Sequence, residues 1–257
     1  MRYSSFAVLL LATVALTLST SGKGQSSSPA EGYRCHIYKC YVEGSMGGWL
    51  SSLKAMENTY AKEKSDELLL EIVRTYYGYI AYALNQERKA EADSMLDRAF
   101  AYLDSYRHRH PNDAEATAIY SSLLGFRLAV HPTQALTLGL QSQHLIAKAM
   151  KQAPNNPWVM YEQANALLYT PAFFGGAPQQ ALRLYLRAIA LLEKQGGNGC
   201  SWNYLNAYIN LAYCQIKLKQ YAAAQQTYSQ LLAIAPTFKW VRQVLVPKLQ
   251  QKMRNKR

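Results

Sequence analysis

Apolar positions recur along most of this chain at three- and four-residue intervals, the spacing of helices that bury one face. The pattern is sharpest from Leu205 to Pro236. Tyr208, Leu211, Ala212, Ala224, Tyr228 and Pro236 lie there at offsets 4, 7, 8, 20, 24 and 32 of a unit about 34 residues long. Tyr208, Leu211 and Ala212 share one face of a first helix, and Ala224 and Tyr228 share one face of a second. The small residues let two backbones approach closely, the aromatics fill the space beside them, and Pro236 ends the second helix because it has no N–H to continue the ladder. The same rhythm returns earlier in the chain. Met160, Ala164, Leu167, Ala181, Tyr185 and Ala188 keep it if the long turn Tyr169–Pro178 is an insertion. Ile146 and Ala149 keep it before Pro154, after a long first helix from Ala114 to about Val130 and a link of about nine extra residues through His131, Pro132 and Thr133. Ala92, Leu96 and Ala99 carry a degenerate copy.

The ends of the chain differ from this middle. Arg2 followed by the uncharged run Phe6–Leu18 and then by small residues predicts a secretory signal over residues 1–24, cut between Gly22 and Ser26. The run is too short to span a bilayer, which needs about twenty residues. A polar linker is expected at 25–31 and a helical pair at 32–65, broken near Gly44 and Gly47–Gly48, with Trp49, Leu53 and Met56 on one face of its second helix. Repeats fill 66–236. Residues 237–257 read as a capping helix, interrupted by Pro247, and a basic tail. Such a cap covers the apolar face that a last repeat would otherwise expose.

The helix–turn–helix unit resembles the tetratricopeptide repeat (TPR), which implies an all-α, right-handed α-solenoid of helical hairpins. Four further features are Pro111-Asn112-Asp113, Pro154-Asn155-Asn156-Pro157, the turn Tyr169–Gly176 (YTPAFFGG) and the C-terminal stretch APTFKWVRQVLVPKL. Together they are similar to a family of exported TPR proteins common in Bacteroidota. That resemblance implies fold and compartment, periplasmic or secreted, and carries over no catalytic residue.

Composition adds little to the fold and something to the surface. The formal net charge is +12, and Tyr is abundant at 20 residues. Lys239, Arg242, Lys248, Lys252, Arg254, Lys256 and Arg257 crowd the C-terminus. A basic tail of this kind either touches nucleic acid or acidic lipid or is a solvated helix end; no nucleic-acid motif accompanies it, and the solvated reading is the simpler.

Candidate chemistry is sparse. Cys35 and Cys40 flank His36 in CHIYKC, with Cys200 in a Gly-rich loop and Cys214 on a repeat helix. The spacing does not suit haem attachment or a zinc site. The cysteines are either thiols or, for Cys35 and Cys40, a disulfide, which is excluded if both lie on one regular helix. The run Arg107–His110 closes a helix before Pro111, where cations complement the helix dipole. No nucleophile elbow, phosphate loop or HExxH motif occurs, so neither an enzyme nor a metal or cofactor is expected.

In the TPR, offsets 2, 5, 9 and 13 of the first helix face the inside of the superhelix. Here those positions hold Trp158, Tyr161, Asn165 and Tyr169 in one repeat, and Asn206, Ile209, Tyr213 and Lys217 in the next. Aromatics interleaved with amides and a lysine suit a binding wall; burial by a neighbouring repeat or by the FFGG insertion is the competing reading. The sequence therefore predicts a non-enzymatic periplasmic scaffold that binds a peptide or partner protein on its concave face. The alternative is an accessory protein of a transport system that carries a small ligand. A closed, filled superhelix favours the ligand, and an open groove favours the peptide.

Overall fold

A computed structural model of the chain describes residues 28–196 and 199–255. The expected signal segment over 1–24 and the first residues of the linker lie outside the described residues, as do Lys256 and Arg257. Among the described residues there are eleven α-helices and no strand. They are α1 (Pro29–Glu43), α2 (Met46–Glu63), α3 (Asp66–Asn85), α4 (Lys89–Arg109), α5 (Ala114–Val130), α6 (Ala135–Gln152), α7 (Pro157–Tyr169), α8 (Pro178–Lys194), α9 (Trp202–Lys217), α10 (Tyr221–Ile234) and α11 (Val246–Arg254). Successive helices pack as hairpins, giving the α-solenoid that the periodicity predicts.

The inner helices of the four repeats begin with a side-chain cap. Ser65, Asp113, Asn156 and Ser201 each accept a hydrogen bond from a backbone N–H of the first turn of α3, α5, α7 and α9. Such caps contribute about 1 kcal/mol each. Asp113 and Asn156 in the Pro-Asn motifs thus start the next helix as well as marking the end of the last. The outer helices α4, α6, α8 and α10 have no such cap. The motif residues pack as the spacing requires: Ala92, Leu96, Ala99, Met160, Ala164, Ala181, Tyr185, Ala188, Leu211, Ala212, Ala224 and Tyr228 are all buried.

Three expectations are corrected. Helix α1 begins at Pro29, so the last part of the expected linker is already helical, with Ser28 as its cap. The residues read as a link after Val130 form a 3-10 turn, Pro132–Gln134, and then the first turns of α6. They extend the α5–α6 hairpin and not its loop. Pro247 does not break the cap: the helix widens into a π turn at Val241–Leu245 just before it. A wider turn accommodates a residue that lacks an N–H and whose ring would crowd the carbonyl four residues earlier.

The decisive contact is made by α1. It packs on α2 and α3 and also on α9, so the first helix of the solenoid touches the inner helix of the last repeat. Gly44, with φ of 70°, ends α1 in the left-handed conformation that glycine adopts without strain and turns the chain into α2. Tyr41 bridges the two main cores. Its ring lies 6.0 Å from Trp49, 5.8 Å from Trp202 and 4.9 Å from Phe238. Trp49 and Trp202 meet edge to face at 5.1 Å, directly over Gly78. The space inside the superhelix is therefore filled by aromatic rings.

A disulfide joins Cys35 of α1 to Cys200, just before α9, across 165 residues. Cys35 and Cys40 sit on one helix, which rules out the pairing between them; Cys40 and Cys214 are free and buried.

Candidate functional site

The residues assigned from sequence to the inner wall do meet, but as an interior. Tyr161 and Asn165 are buried, and their polar atoms are used within the protein. The Tyr161 hydroxyl accepts from Asn206 Nδ2 and Asn210 Nδ2, both at 2.8 Å. Asn165 Oδ1 accepts from the Tyr185 hydroxyl at 2.6 Å and from Asn210 Nδ2 at 3.0 Å. Asn206 Oδ1 accepts from the Tyr41 hydroxyl of α1 at 2.9 Å. The Tyr169 hydroxyl donates to Asn210 Oδ1 at 3.0 Å, although the ring itself is exposed. Hydrogen-bonded amides and hydroxyls of this kind fix helix register and present nothing to a ligand.

Of the other four positions, Ile209 is buried in the core, and three lie apart from that network. Trp158 is half-buried and meets Tyr161 edge to face at 6.1 Å. Tyr213 is half-buried, and burial pushes its hydroxyl pKa up to about 12. Lys217 is exposed, and its ammonium donates to the Leu168 carbonyl at 2.5 Å, closing the C-terminal end of α7. The expectation of a continuous exposed wall is thus corrected at Tyr161 and Asn165: Tyr41 of α1 joins the network beside Tyr161 through Asn206, and Tyr77 of α3, Tyr185 of α8 and Asn210 of α9 close around Asn165.

Sequence reasoning missed Asn210, Glu162 and Tyr77. Asn210 stands four residues after Asn206, and Glu162 three before Asn165, so helical spacing alone would have grouped them. Glu162 is the centre of the group. Its Oε2 accepts from the Tyr77 hydroxyl at 3.0 Å, the Ser122 hydroxyl at 2.6 Å and Asn165 Nδ2 at 3.0 Å. Burial raises its pKa from 4.5 to about 7, against the lowering effect of those three donors. The carboxyl lines a narrow slot between α3, α5, α7 and α9, together with Arg74, Tyr77, Glu115 and Trp158. Arg74 pairs with Glu115 and, at 3.7 Å, with the buried Glu71, which also pairs with Arg34. The charges of Arg74, Glu115 and Glu71 are thus paired with one another, whereas Glu162 has uncharged partners only.

A larger opening lies on the outer side, where α6 diverges from α4 over α5. This cleft has a volume of about 330 Å³. Phe100, Tyr120, Leu124 and Leu138 line it, with Gln134, Gln141, Arg127 and His131 around them. Phe100 and Tyr120 meet edge to face at 5.0 Å. Arg127 lies over the Phe100 ring while its two arms hold Asp93 at 2.9 Å and Asp97 at 2.6 Å; His131 Nε2 also sits 2.9 Å from Asp93. Charge around the cleft is satisfied inside the protein, leaving aromatic faces and a larger share of polar surface, two amides included, for an occupant. Divergence follows from α6 itself: of its eighteen residues only Ile146 and Ala149 are buried.

Among the described residues, no cluster of three or more His, Cys, Asp or Glu is placed to hold a metal ion, and no helix is long and apolar enough to cross a membrane.

No family model matches the chain, and no curated protein does. Solved structures do resemble it. The HusA haemophore from Porphyromonas gingivalis superposes with a TM-score of 0.59 at 22% identity, over 76% of this chain and 96% of that one. A thermophilic TPR protein from Thermus thermophilus gives 0.56 at 14% identity, over 86% of this chain and 99% of that one. At these identities the likeness is one of fold: an all-α solenoid of TPR-like hairpins.

Proposed function

We propose that this protein is an exported, non-enzymatic scaffold that holds a small ligand with both aromatic and polar parts in the outer cleft between α4, α5 and α6. One observation carries the reading. The inside of the superhelix is closed by α1 and filled, whereas the outer cleft, at about 330 Å³, is open and within the range of small-molecule sites, roughly 300–1,000 Å³. Phe100 and Tyr120 offer flat surface for stacking, and Gln134 and Gln141 offer hydrogen bonds to a polar edge. The haemophore among the structures of similar fold makes haemin the first ligand to try. Export is supported by the apolar run behind Arg2 and by the Cys35–Cys200 disulfide, a bond favoured in oxidising compartments.

An extended peptide on the concave face, the other reading, requires α1 to leave α9, breaking the Tyr41–Asn206 hydrogen bond and the Trp49–Trp202 contact. The two readings separate by mutation. Titration with haemin and a panel of small aromatic ligands is followed by absorbance and fluorescence in wild type, Tyr120→Ala, Leu138→Arg and Tyr161→Phe. The cleft variants are expected to weaken binding by at least about tenfold, as anchor residues do, with Tyr161→Phe unchanged. Binding that survives both cleft variants, or a peptide that binds wild type and competes with no small ligand, rejects the proposal.

A further inference from the structure

The net charge of this protein is not spread along the chain. Residues 1–131 carry fourteen Lys and Arg against fourteen Asp and Glu, whereas residues 132–257 carry fourteen against two. The whole excess of +12 therefore belongs to the C-terminal half. Its two carboxylates offset little of it at the surface. Glu162 is buried in the network described above, and Glu193, exposed on α8 and accepting from the Tyr208 hydroxyl at 2.6 Å, cancels a single charge.

Among the described residues, large exposed hydrophobic side chains are confined to the same half. The large hydrophobic residues that stand in solvent among the described residues are Leu136, Leu140, Tyr169, Phe173, Phe174 and Leu186, with Phe173 92% exposed. Two insertions visible in the sequence bring most of them together. The first lengthens the α5–α6 hairpin, so that Leu136 and Leu140 lie on early turns of α6 that no neighbour covers. The second is the turn carrying Phe173 and Phe174, which leans on α6 through a hydrogen bond from Gln143 Nε2 to the Phe174 carbonyl at 3.0 Å. Leu136, Leu140 and Gln143 are spaced by four and three and so share one face of α6. Further along α6, Lys148 and Lys151 are exposed. On α8, which follows the Phe173–Phe174 turn, the exposed positions Arg183, Leu186, Arg187 and Lys194 form one stripe. Arg187 reaches back to Asn155, just beyond α6, at 2.6 Å. The outer layer thus presents an apolar, aromatic end that runs into a field of cations in excess of its one exposed carboxylate, Glu193.

We infer that this outer face of α6 and α8 docks on an anionic lipid surface, with Phe173 and Phe174 entering the headgroup region and Lys148, Lys151, Arg183 and Arg187 pairing with lipid phosphates. The combination selects lipid among anionic partners. Cations alone suit any polyanion, but a phenylalanine pair at an exposed turn beside two solvent-facing leucines gains from burial among acyl chains, as interfacial segments do. The inference does not depend on what the outer cleft binds.

The test is co-sedimentation of the full mature protein with phosphatidylglycerol vesicles and with phosphatidylcholine vesicles. Wild type is expected to bind the anionic vesicles alone and to release them at high salt, since screening shortens the reach of the cations. The double variants Phe173→Ala/Phe174→Ala and Arg183→Glu/Arg187→Glu are each expected to bind at least about tenfold more weakly, with the helical circular-dichroism signal unchanged. In the variant Phe173→Trp, brominated lipids are expected to quench the new indole. Equal binding to both vesicle types, wild-type binding by either double variant, or absence of quenching overturns the inference. So does capture by heparin or DNA without capture by vesicles, which assigns the face to a soluble polyanion, or self-association that the phenylalanine variant abolishes while vesicle binding is absent.

Discussion

Replacing Glu162 by Gln should change how the stability of this protein responds to pH. Glu162 is a carboxyl inside the superhelix with three donors on one oxygen, and its hydrogen-bond partners are all uncharged. Its pKa rises from 4.5 in an ordinary setting to about 7 in the folded protein, mainly through burial. Below pH 4.5 the group is protonated whether the chain is folded or not, and folding loses nothing there. Between 4.5 and 7 the folded protein keeps a proton that the unfolded chain has released, so stability falls as pH rises. Above about 7 the loss is complete and levels off. At about 1.4 kcal/mol for each pH unit, the loss comes to roughly 3 kcal/mol. Asp66 works in the opposite direction, since hydrogen bonds from Arg109 and His110 lower its pKa, but it acts below its ordinary value of 3.8 and so outside this window. Urea unfolding midpoints for wild type and Glu162→Gln, measured from pH 4.5 to 8, provide the assay. Wild type should lose stability across the range, and the Gln variant, which keeps an acceptor for the same donors, should stay nearly flat. An equal fall in both proteins, or no fall in wild type, refutes the account of a buried, uncompensated carboxyl.

Gly78→Ala should destabilise the protein by about 1–3 kcal/mol from overpacking, because its new Cβ would stand 2.7 Å from both the Trp202 and the Trp49 rings. The gain in helix propensity, about 1 kcal/mol, offsets only part of this, and a raised thermal midpoint would show that the two indoles do not meet there. Ala224→Leu, at a fully buried helix contact, should also cost about 1–3 kcal/mol; an unchanged midpoint would show that the repeat register is wrong. The native protein should begin between Gly22 and Ser26, and N-terminal sequencing that finds Met1 intact would remove the case for export.

Much of the fold was legible because packing in a hairpin repeat is local. Ala212 and Ala224, or Ala164 and Ala181, meet within one unit, and their spacing reports the contact directly. The stretched repeat hid its equivalent pair. Ser121 and Ser142 occupy the positions of the two small residues there, and each hydroxyl lies within hydrogen-bonding distance of the other's backbone carbonyl, at 2.8 and 2.9 Å. A serine at these positions carries no apolar signal. The inner wall was legible as a set of positions but not as an environment. Whether Tyr161 and Asn165 face a groove or a neighbour depends on α1 and α3, which are far away in sequence and contribute Tyr41 and Tyr77 to their network. The same distance hid the Cys35–Cys200 pairing. The two cysteines belong to different ends of the solenoid, and only closure of the superhelix brings them together. Conversely, the exposed character of Phe173 and Leu136 arises where two insertions lengthen adjacent edges, and repeat spacing by itself gives no height above the neighbours.

Closure of the first helix onto the last repeat is the claim on which the reading of the interior depends. Peptide mapping of the mature protein, isolated from an oxidising compartment with free thiols blocked before digestion, tests it most directly. The account predicts one cross-linked pair containing Cys35 and Cys200, with Cys40 and Cys214 labelled only after unfolding, since both are buried. In the chain-entropy view a link across 165 residues stabilises by as much as about 5 kcal/mol, so reduction should also lower the thermal midpoint. A Cys35–Cys40 cross-link, or four thiols that are all free, would contradict the closed superhelix and return the inner wall to solvent.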